Sequence, residues 1–415
     1  MTKTLKKGIC AVLLAALCAG LCACDVGGAP DGTPPGGQAG SVTERLELRT
    51  VYGGGTVDLC APELREYLSE QEFEAQCAFL LAHSGEDYDG QAISFAWTED
   101  GSESYSVWFA DNAEFEDALV VETSDASAYV GLFVPGKTYY WKVEGKTTSA
   151  TDSFVTLDMP VRFVSVEGIG NVRDIGGWNA SDGRRVRYGM LYRGSQLNGY
   201  GGVTPLPEEG KRTMRESLGM RAEIDLRLPG IDDADQSENA FDSTAPYLKA
   251  PIQPYTCIVE DLSEDDPKHS YFEEGAGSLR EIFALLADES NYPVYYHCLS
   301  GADRAGTLTY LLNGLLGVSY EDLTRDFEIT SFTAIGDRWR GSAESGFTDG
   351  VMSDEEGKTY VAWGMMHELF MKYYGEGGSL ADAVERYLTF VCGVPSEHIE
   401  AFRDIMLEDI VADAR

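Results

Sequence analysis

Basic residues are scarce in this 415-residue chain. Lys and Arg together number 32 against 69 Asp and Glu, which gives a formal net charge of −37 at pH 7. Proteins that bind DNA or RNA neutralise phosphates with a basic surface, so this balance argues against a nucleic-acid partner. It also argues against docking on anionic lipid headgroups. Hydrophobic residues make up 43% and aromatic residues 11%, as in ordinary globular proteins, so the acidity does not indicate disorder.

Recognisable metal-ligand patterns are lacking too. The chain has five histidines and neither a Cys-x-x-Cys nor a His-Glu-x-x-His motif, so the sequence gives no support to a zinc site. Of its nine cysteines, four lie in the first 24 residues and five follow. An odd number leaves at least one thiol unpaired within the molecule. Two interpretations stay open for Cys60 and Cys77: a disulfide, or the favoured one, two small buried hydrophobic residues.

No long apolar run follows residue 24, so a mature transmembrane helix is not expected. The run Ile9–Leu21 has thirteen residues, too few to span a bilayer, and three lysines precede it, which is typical of an export signal. It ends in Leu21-Cys22-Ala23-Cys24, which resembles the processing box of bacterial lipoproteins. We therefore expect a lipoprotein signal peptide over 1–24, lipidation of Cys24, and an extracytoplasmic protein that meets the membrane only through its lipid. Residues 25–43, rich in Gly, Pro, Ala, Asp and Thr, predict a flexible linker.

Residues 44–158 show the pattern of an all-β sandwich. Apolar and polar residues alternate in several short segments, among them Ile93-Phe95-Trp97 and Tyr139-Trp141-Val143. The stretch Pro135–Val143 (PGKTYYWKV) resembles the later strands of fibronectin type III domains. We expect this domain to be a spacer rather than a ligand-binding module. The segment from Glu63 to Leu81 has a helical pattern and predicts an insertion within the sandwich.

Residues 159–415 have an α/β pattern instead. The short β-branched and aromatic run Tyr292–Tyr296 predicts a buried strand, and apolar residues at helical spacing predict a helix from Asp303 to Leu316. Gly317 is expected to end that helix. The predicted fold class is α/β, with a mostly parallel central sheet flanked by helices and preceded by the all-β sandwich.

The segment between this strand and helix is where the sequence predicts chemistry. It reads HCLSGADRAG from His297 to Gly306, with five residues between Cys298 and Arg304. Loop amides and a helix N-terminus that converge on one point bind a phosphate dianion. The same field favours the thiolate form of Cys298. The planar fork of Arg304 is suited to gripping two phosphoryl oxygens.

HCLSGADRAG resembles the active-site signature of cysteine-dependent protein tyrosine phosphatases, and in particular their secreted or lipoprotein bacterial branch. The resemblance covers about residues 161–410 and includes further motifs in the same order. They read GNVRDIGG (170–177), YRGSQL (192–197), IDLR (224–227), LGV (316–318) and DFEITS (326–331). The 159–415 segment is therefore expected to be the phosphatase domain.

The resemblance implies a role for each residue of the loop. Cys298 would be the nucleophile, and Arg304 with the amides of Leu299, Ser300, Gly301, Ala302 and Asp303 would hold the phosphoryl oxygens. His297 would order the loop. The substrate would be a phosphorylated protein or a small phosphomonoester, and no cofactor or metal is implied.

The proton donor for the leaving group stays open. Asp303 is the first choice, with a salt bridge that positions the loop as its alternative role. Asp261 and Asp265, on a polar loop, are the runners-up.

One residue departs from the family pattern. Ala305 stands where the family usually has Ser or Thr after the arginine, which predicts slow hydrolysis of the intermediate unless Ser300 or Thr307 substitutes.

Three other functions stay open. One is phosphoinositide or inositol-phosphate hydrolysis by the same mechanism, which a basic rim from Arg338 and Arg340 would favour. The second is a non-catalytic, phosphate-binding surface lipoprotein, which Ala305 keeps open. The third, a sulfurtransferase, is disfavoured by the upstream motifs.

Overall fold

Two sheet regions follow one another along the chain. The computed structural model describes residues 46–88, 92–146, 148–198, 205–229, 236–254, 275–336, 338, 340, 350–351 and 360–410. The predicted signal peptide and linker, together with Cys24, Cys257, Asp261 and Asp265, lie outside these residues. None of the helices within the described ranges is long and apolar enough to cross a bilayer.

The first region, up to residue 157, contains seven strands among the described residues. They are β1 (Thr56–Val57), β2 (Ile93–Ala96), β3 (Tyr105–Ala110), β4 (Leu119–Thr123), β5 (Ser127–Val130), β6 (Thr138–Glu144) and β7 (Ser149–Thr156). Five form a sheet in the order β1-β7-β6-β3-β4, and β2 pairs with β5 in a second sheet. The alternating residues identified in the sequence point into a shared aromatic core, where Phe95, Trp97, Trp141 and Phe154 are fully buried.

Two helices interrupt this region between β1 and β2. They are α1 (Pro62–Ser69), with a proline at its start, and α2 (Phe73–His83), and together we call them the helical hairpin. The helical pattern predicted over 63–81 is therefore confirmed. The hairpin packs on the core of the second region rather than on the aromatic core, since Leu64, Tyr67 and Leu80 belong to that larger cluster.

The second region contains ten further strands and seven further helices among its described residues. The strands are β8 (Arg162–Phe163), β9 (Arg173–Asp174), β10 (Arg184–Val186), β11 (Leu191–Gly194), β12 (Ala222–Asp225), β13 (Tyr247–Lys249), β14 (Val294–His297), β15 (Gly350–Val351), β16 (Tyr360–Val361) and β17 (Leu407–Asp409). The helices are α3 (Glu208–Arg212), α4 (Ala276–Leu286), α5 (Asp303–Leu315), α6 (Tyr320–Glu328), α7 (Ala362–Phe370), α8 (Leu380–Arg386) and α9 (Ser396–Met406). Short 3₁₀ or π turns follow several of these helices, at 213–217, 329–332, 371–375 and 387–391, and one precedes β14 at 289–291.

The central sheet has six strands in the order β13-β12-β14-β11-β9-β8. Its four strands from β13 to β11 are parallel, whereas β9 and β8 continue it in antiparallel fashion. The sheet is therefore mixed, and the prediction of parallel pairing holds for its centre. Successive residues of β14 face opposite layers: Val294 and Tyr296 face the larger core, and Tyr295 faces a smaller one on the other side.

The predicted strand and helix around HCLSGADRAG are both present. β14 overlaps the last three residues of the predicted run and extends one residue beyond it, and α5 spans all but the last residue of the predicted helix. Gly317 follows with a φ of 86°, a conformation that glycine adopts without strain and that ends the helix.

Candidate active site

The candidate site lies at the carboxyl ends of the parallel strands. The end of β14 at His297 is in register with Gly194 of β11 on one side and with Asp225 of β12 on the other. Residues 298–302 form a loop from β14 to the start of α5, and Cys298 at its base is only 2% exposed. Ligands of open α/β sheets bind at this edge. The strand order thus places the predicted nucleophile where such a site is expected.

Arg193, in β11, holds the back of this loop. Its guanidinium donates to the carbonyl oxygen of Gly301 from Nε (3.2 Å) and Nη2 (2.9 Å), and from Nη2 to that of Ala302 (2.9 Å). Nη1 donates to Thr309 Oγ1 (2.9 Å) and to Asp326 Oδ2 (2.7 Å). One buried side chain therefore links the loop to α5 and α6.

Two other groups hold the remaining carbonyls. Asn171 Nδ2 donates to the carbonyl oxygen of Ser300 at 3.1 Å, and the backbone amide of Gln196 donates to that of Leu299 at 3.1 Å. Asn171 adopts a φ of 58°, a left-handed conformation that asparagine tolerates better than most residues. The loop carbonyls of 299–302 are thus all drawn to the protein side.

The amides of the same loop, unlike its carbonyls, are not engaged by the surrounding residues that the structure describes. Within the described part of the chain, the amides of residues 299–302 donate no hydrogen bond to another residue, and no side chain caps the start of α5. Buried amides need an acceptor, and a helix N-terminus carries about half a positive charge. Since the carbonyls are already satisfied, the amides can converge on an anion, which is the arrangement of a phosphate cradle.

Gly301 shows why the loop fits so closely against β11. Its φ is 71°, and a Cβ placed there would lie 2.3 Å from the carbonyl carbon of Gly194. Both the backbone conformation and the close approach require glycine. Two glycines facing each other therefore let the loop rest directly on the neighbouring strand.

Positive charge is concentrated behind the loop. Arg173 and Arg193 are both fully buried and share Asp326, with N–O distances of 3.4 Å and 2.7 Å. Arg173 also donates to Thr330 Oγ1 at 3.1 Å and to Asn171 Oδ1. Burial, followed by the charge of Arg193, lowers the pKa of Arg173 to about 10. We call Arg173, Arg193 and Asp326 the Asp326 cluster. It carries two guanidiniums and one carboxylate, so its net positive charge favours an anion in the loop.

A second group of charges lies on the other side of β14. Arg227 forms a two-pronged ion pair with Asp225 at 2.9 and 2.7 Å, and Lys249 and Tyr247 bond the same carboxylate at 2.7 and 2.8 Å. We call these four residues the Asp225 cluster. Burial raises the pKa of Asp225, but the charge of His297 and its bonds to Arg227 and Lys249 outweigh that effect, so its pKa lies well below the usual range. Asp225 therefore ties the end of β12 to β13, where Tyr247 and Lys249 lie.

His297 is held from the same side. Its Nε2 lies 2.9 Å from Glu223 Oε1, with both side chains fully buried, and its Nδ1 lies 3.3 Å from the carbonyl oxygen of Cys298. The imidazole also stacks on Tyr295, with ring centroids 5.8 Å apart. His297 therefore contacts the loop backbone directly, as a loop-ordering residue would.

Asp303, the first residue of α5, is engaged in an ion pair. Arg338 donates to its two carboxylate oxygens, from Nε at 2.8 Å and from Nη2 at 3.0 Å. The side chains are 26% and 17% exposed, so the pair sits at the rim of the loop. The loop-positioning role considered for Asp303 thus has a geometric basis, and its role as proton donor stays a prediction.

Arg338 and Arg340 do not form the basic rim considered from the sequence. Arg338 is paired with Asp303, and Arg340 forms an ion pair with the buried Glu328 at 3.2 Å. Each cation is thus neutralised by a carboxylate. The local charge at the rim gives no particular advantage to a highly charged polyphosphate.

The residues that follow Asp303 are placed in the first turns of α5. Arg304 is half-buried, and Ala305 is fully buried. Thr307 Oγ1 donates to the carbonyl oxygen of Asp303 at 3.0 Å, as is common within a helix, while the Ser300 side chain is 7% exposed in the loop. The Thr307 hydroxyl proton is therefore already engaged within the helix, which weighs against Thr307 as the substitute.

Sequence reasoning missed the residues that back the loop. Asn171, Arg193 and Asp326 all lie in motifs noted for the resemblance, but only their contacts reveal what they do. Arg173 and Asp174 are neighbours in the first of these motifs but have different partners, since Arg173 pairs with Asp326 and Asp174 pairs with Arg162 at 3.0 Å.

Three other cysteines have described positions, and none of them lies in the 298–302 loop. Cys60, Cys77 and Cys392 are buried, and no disulfide joins Cys60 to Cys77. Burial raises the pKa of Cys60 to about 12 and that of Cys392 to about 12. Both are therefore protonated thiols near neutral pH. Among the residues with a described position, no three His, Cys, Asp or Glu side chains cluster in a way that could hold a metal ion.

Comparison with known proteins gives this site its context. A protein of Cupriavidus necator, named provisionally as a tyrosine-protein phosphatase, is 27% identical over 176 residues, which cover 40% of this chain and 61% of that relative. The core catalytic domain of a PP-IP phosphatase from S. cerevisiae is 15% identical and covers 35% of this chain and 72% of its own. Its TM-score of 0.23 is too low to infer a shared fold. The sequence profile of the tyrosine phosphatase family matches residues 164–408, more than half of the chain. This chain therefore belongs to the tyrosine phosphatase family.

Proposed function

We propose that this protein is an extracytoplasmic, cysteine-dependent phosphatase that hydrolyses phosphotyrosine or a related phosphomonoester. The observation that carries this proposal is the orientation of the 298–302 loop. Its carbonyls are held from behind by Asn171, Arg193 and Gln196, and its amides are left to meet an anion. An anion site built over a buried cysteine is what phosphocysteine chemistry requires.

The reaction has two steps. The Cys298 thiolate attacks phosphorus in line, the P–O bond to the leaving group breaks, and that oxygen takes a proton from a carboxylic acid, for which Asp303 is the first candidate. Water then attacks the phosphocysteine, the S–P bond breaks, and inorganic phosphate and the thiolate are released. Arg304 and the loop amides hold the equatorial oxygens in both steps, so the protein supplies positioning and fixed positive charge.

A monoester with few charges is favoured over inositol polyphosphates. Arg338 and Arg340, the cations considered for such a ligand, are both paired with carboxylates. The chain as a whole is strongly acidic and repels polyanions. The tyrosine phosphatase family match supports the same choice.

The proposal is tested by rapid mixing of the protein with p-nitrophenyl phosphate. We expect a burst of nitrophenol, a slower steady state, and inhibition by vanadate. Cys298→Ser abolishes both phases while thermal unfolding is little changed. Cys60→Ser, at another buried cysteine, is the matched control and keeps both phases. Turnover in the Cys298→Ser protein refutes the proposed chemistry, and phosphate binding without turnover in the unaltered protein favours a binding protein.

The proposal also covers the organisation of the chain. We infer a lipid-anchored protein whose first region is a fibronectin type III-like spacer between Cys24 and the phosphatase domain. The strand order β1-β7-β6-β3-β4 with a separate β2-β5 pair, around one aromatic core, supports the sandwich. Cys24→Ala is expected to release the protein from bacterial membranes into the soluble fraction, and mass spectrometry of the mature N-terminus identifies the lipid. Unchanged membrane retention contradicts the anchor.

A further inference from the structure

The helical hairpin of the first region contacts the chain just beyond α6. The residues directly after the hairpin donate two backbone hydrogen bonds to this segment, from Gly85 to the carbonyl oxygen of Ser331 and from Tyr88 to that of Phe332, both at 2.9 Å. The rings of Tyr67 and Phe332 lie 5.3 Å apart. The hairpin and the segment 328–332 are thus joined by backbone as well as by side chains.

Charged and polar side chains extend this contact to Glu328 and Arg340. The Tyr67 hydroxyl donates to Glu328 Oε2, and the fully buried Glu328 also accepts the amide of Arg340 at 2.8 Å. Gln76 Oε1 accepts from the Arg340 guanidinium, and Cys77 Sγ lies 3.7 Å from the Arg340 carbonyl oxygen. Burial and the neighbouring Glu328 raise the pKa of Tyr67, so its hydroxyl keeps the proton it donates. A buried carboxylate needs such partners, so the hairpin and Arg340 hold Glu328 between them.

Arg338 lies two residues before Arg340, and its backbone is fixed on both sides. Its amide donates to Ser331 Oγ at 2.9 Å, and Ser331 Oγ donates to its carbonyl oxygen at 2.5 Å. The carbonyl oxygen of Ser331 itself accepts from the amide of Gly85, two residues beyond the end of the hairpin. The Arg338 side chain is thereby directed at Asp303, whose two oxygens it engages at 2.8 and 3.0 Å.

We propose that the helical hairpin is part of the phosphatase site, because it fixes Arg338 and Arg338 in turn sets the orientation of Asp303. This inference rests on the proposed function and deepens it. Arg338, Tyr67 and Gln76 are positioning residues, since they act on the reaction through Asp303. When one oxygen of Asp303 carries a proton for the leaving group, the other still accepts from the Arg338 fork, so the orientation survives the change of protonation.

The test compares two substrates with different leaving groups. Phenyl phosphate needs a proton donor far more than p-nitrophenyl phosphate does. We expect Arg338→Ala to lower kcat on the order of tenfold with phenyl phosphate and much less with p-nitrophenyl phosphate. Tyr67→Phe keeps the ring but removes the hydroxyl. We expect it to lower kcat with phenyl phosphate about fivefold, again with much less effect on p-nitrophenyl phosphate. Arg338→Lys restores only part of the activity, since an ammonium cannot engage both oxygens as a fork.

Two controls separate positioning from folding. Glu74→Gln changes an exposed residue of the same hairpin and is expected to leave both rates unchanged. In an Asp303→Asn background, Arg338→Ala is expected to cause no further selective loss, because the residue on which it acts is already absent. Thermal unfolding is measured for every variant to show that it folds. If Tyr67→Phe does not fold, the test rests on Arg338→Ala, which changes a residue at the rim.

The outcomes separate the two proposals. Equal losses with both substrates, unchanged rates, or losses that persist in the Asp303→Asn background overturn the inference alone. Absence of vanadate-sensitive turnover in the unaltered protein overturns the proposed function and the inference with it.

Discussion

Two buried clusters of charge flank the strand that carries the candidate nucleophile, and they relate to the loop in different ways. The Asp326 cluster reaches the loop directly, through the bonds from Arg193 to Gly301 and Ala302. The Asp225 cluster contacts the loop indirectly, through Gln196. Arg227 donates to Gln196 Oε1 at 3.2 Å, and the backbone amide of Gln196 donates to the carbonyl oxygen of Leu299. The first cluster therefore shapes the anion site, while the second mainly fixes the strand ends beneath it.

The largest effect is expected from Arg193→Met. This change removes the donors to two loop carbonyls and leaves Asp326 with Arg173 alone, so we expect a loss of about 3–5 kcal/mol in the free energy of unfolding and no measurable turnover. Urea unfolding and p-nitrophenyl phosphate hydrolysis measure both. Arg212→Met, at an arginine whose side chain is 59% exposed, is the control and should change neither. Turnover near the normal rate in the Arg193 variant would show that the loop does not need this cluster.

A somewhat smaller effect is expected from Gly301→Ala, at the contact between the loop and β11. The added Cβ makes the positive φ of this position unfavourable, and it also clashes with the backbone of Gly194. Gly183→Ala isolates the first of these costs, because Gly183 has a φ of 89° and no atom within 4 Å of an added Cβ. We expect Gly183→Ala to lower the free energy of unfolding by about 1–2 kcal/mol and Gly301→Ala to lower it by at least twice that amount. Turnover should be lost only in Gly301→Ala. Equal costs at the two positions would mean that the loop yields readily.

Asp225→Asn tests the second cluster and is expected to cost on the order of 2 kcal/mol at neutral pH. Because the pKa of Asp225 is lowered by folding, its contribution is complete above the ordinary carboxyl range and is lost as pH falls through the lowered value. The difference in unfolding free energy between the two proteins should therefore shrink below about pH 4. The variant should keep most of its turnover at neutral pH. A pH-independent difference, or turnover as low as in Arg193→Met, would remove the distinction between the clusters.

The smallest effect concerns Ala305, which follows the arginine of the loop. A hydroxyl here should assist the departure of the Cys298 thiolate when water attacks, so we expect Ala305→Thr to raise steady-state turnover about fivefold, the equivalent of one hydrogen bond. The ratio of burst to steady-state rate reports the step concerned. Ala305→Val adds the same bulk without the hydroxyl and should bring no gain. An equal gain in both variants would assign the effect to packing.

The local parts of the site could be predicted from the sequence. Val294–His297 and Asp303–Leu315 are read from β-branched and helical patterns within a few residues, and Gly317 marks the helix end by its conformation. The candidate phosphate site is inferred from a cysteine and an arginine placed across a strand-to-helix turn. These features depend on neighbours in the chain, which a single sequence displays.

The supporting parts could not be predicted in the same way. Arg193 and Gly301 are 108 residues apart, and Tyr67 and Glu328 are 261 apart. No periodicity connects such pairs, because their contact depends on the order of the strands and on how the hairpin folds back. The antiparallel edge formed by β8 and β9 escaped prediction for a related reason, since strands of two residues leave almost no pattern.

The helical hairpin has a practical consequence for anyone who trims this protein. The family match begins at residue 164, yet Leu64, Tyr67 and Leu80 complete the apolar core around Phe332. A polypeptide that begins at residue 164 would lack these three side chains and expose the apolar surface around Phe332 to water, which favours aggregation. A shortened protein should therefore keep the helical hairpin together with the family domain, and so begin no later than α1 at Pro62.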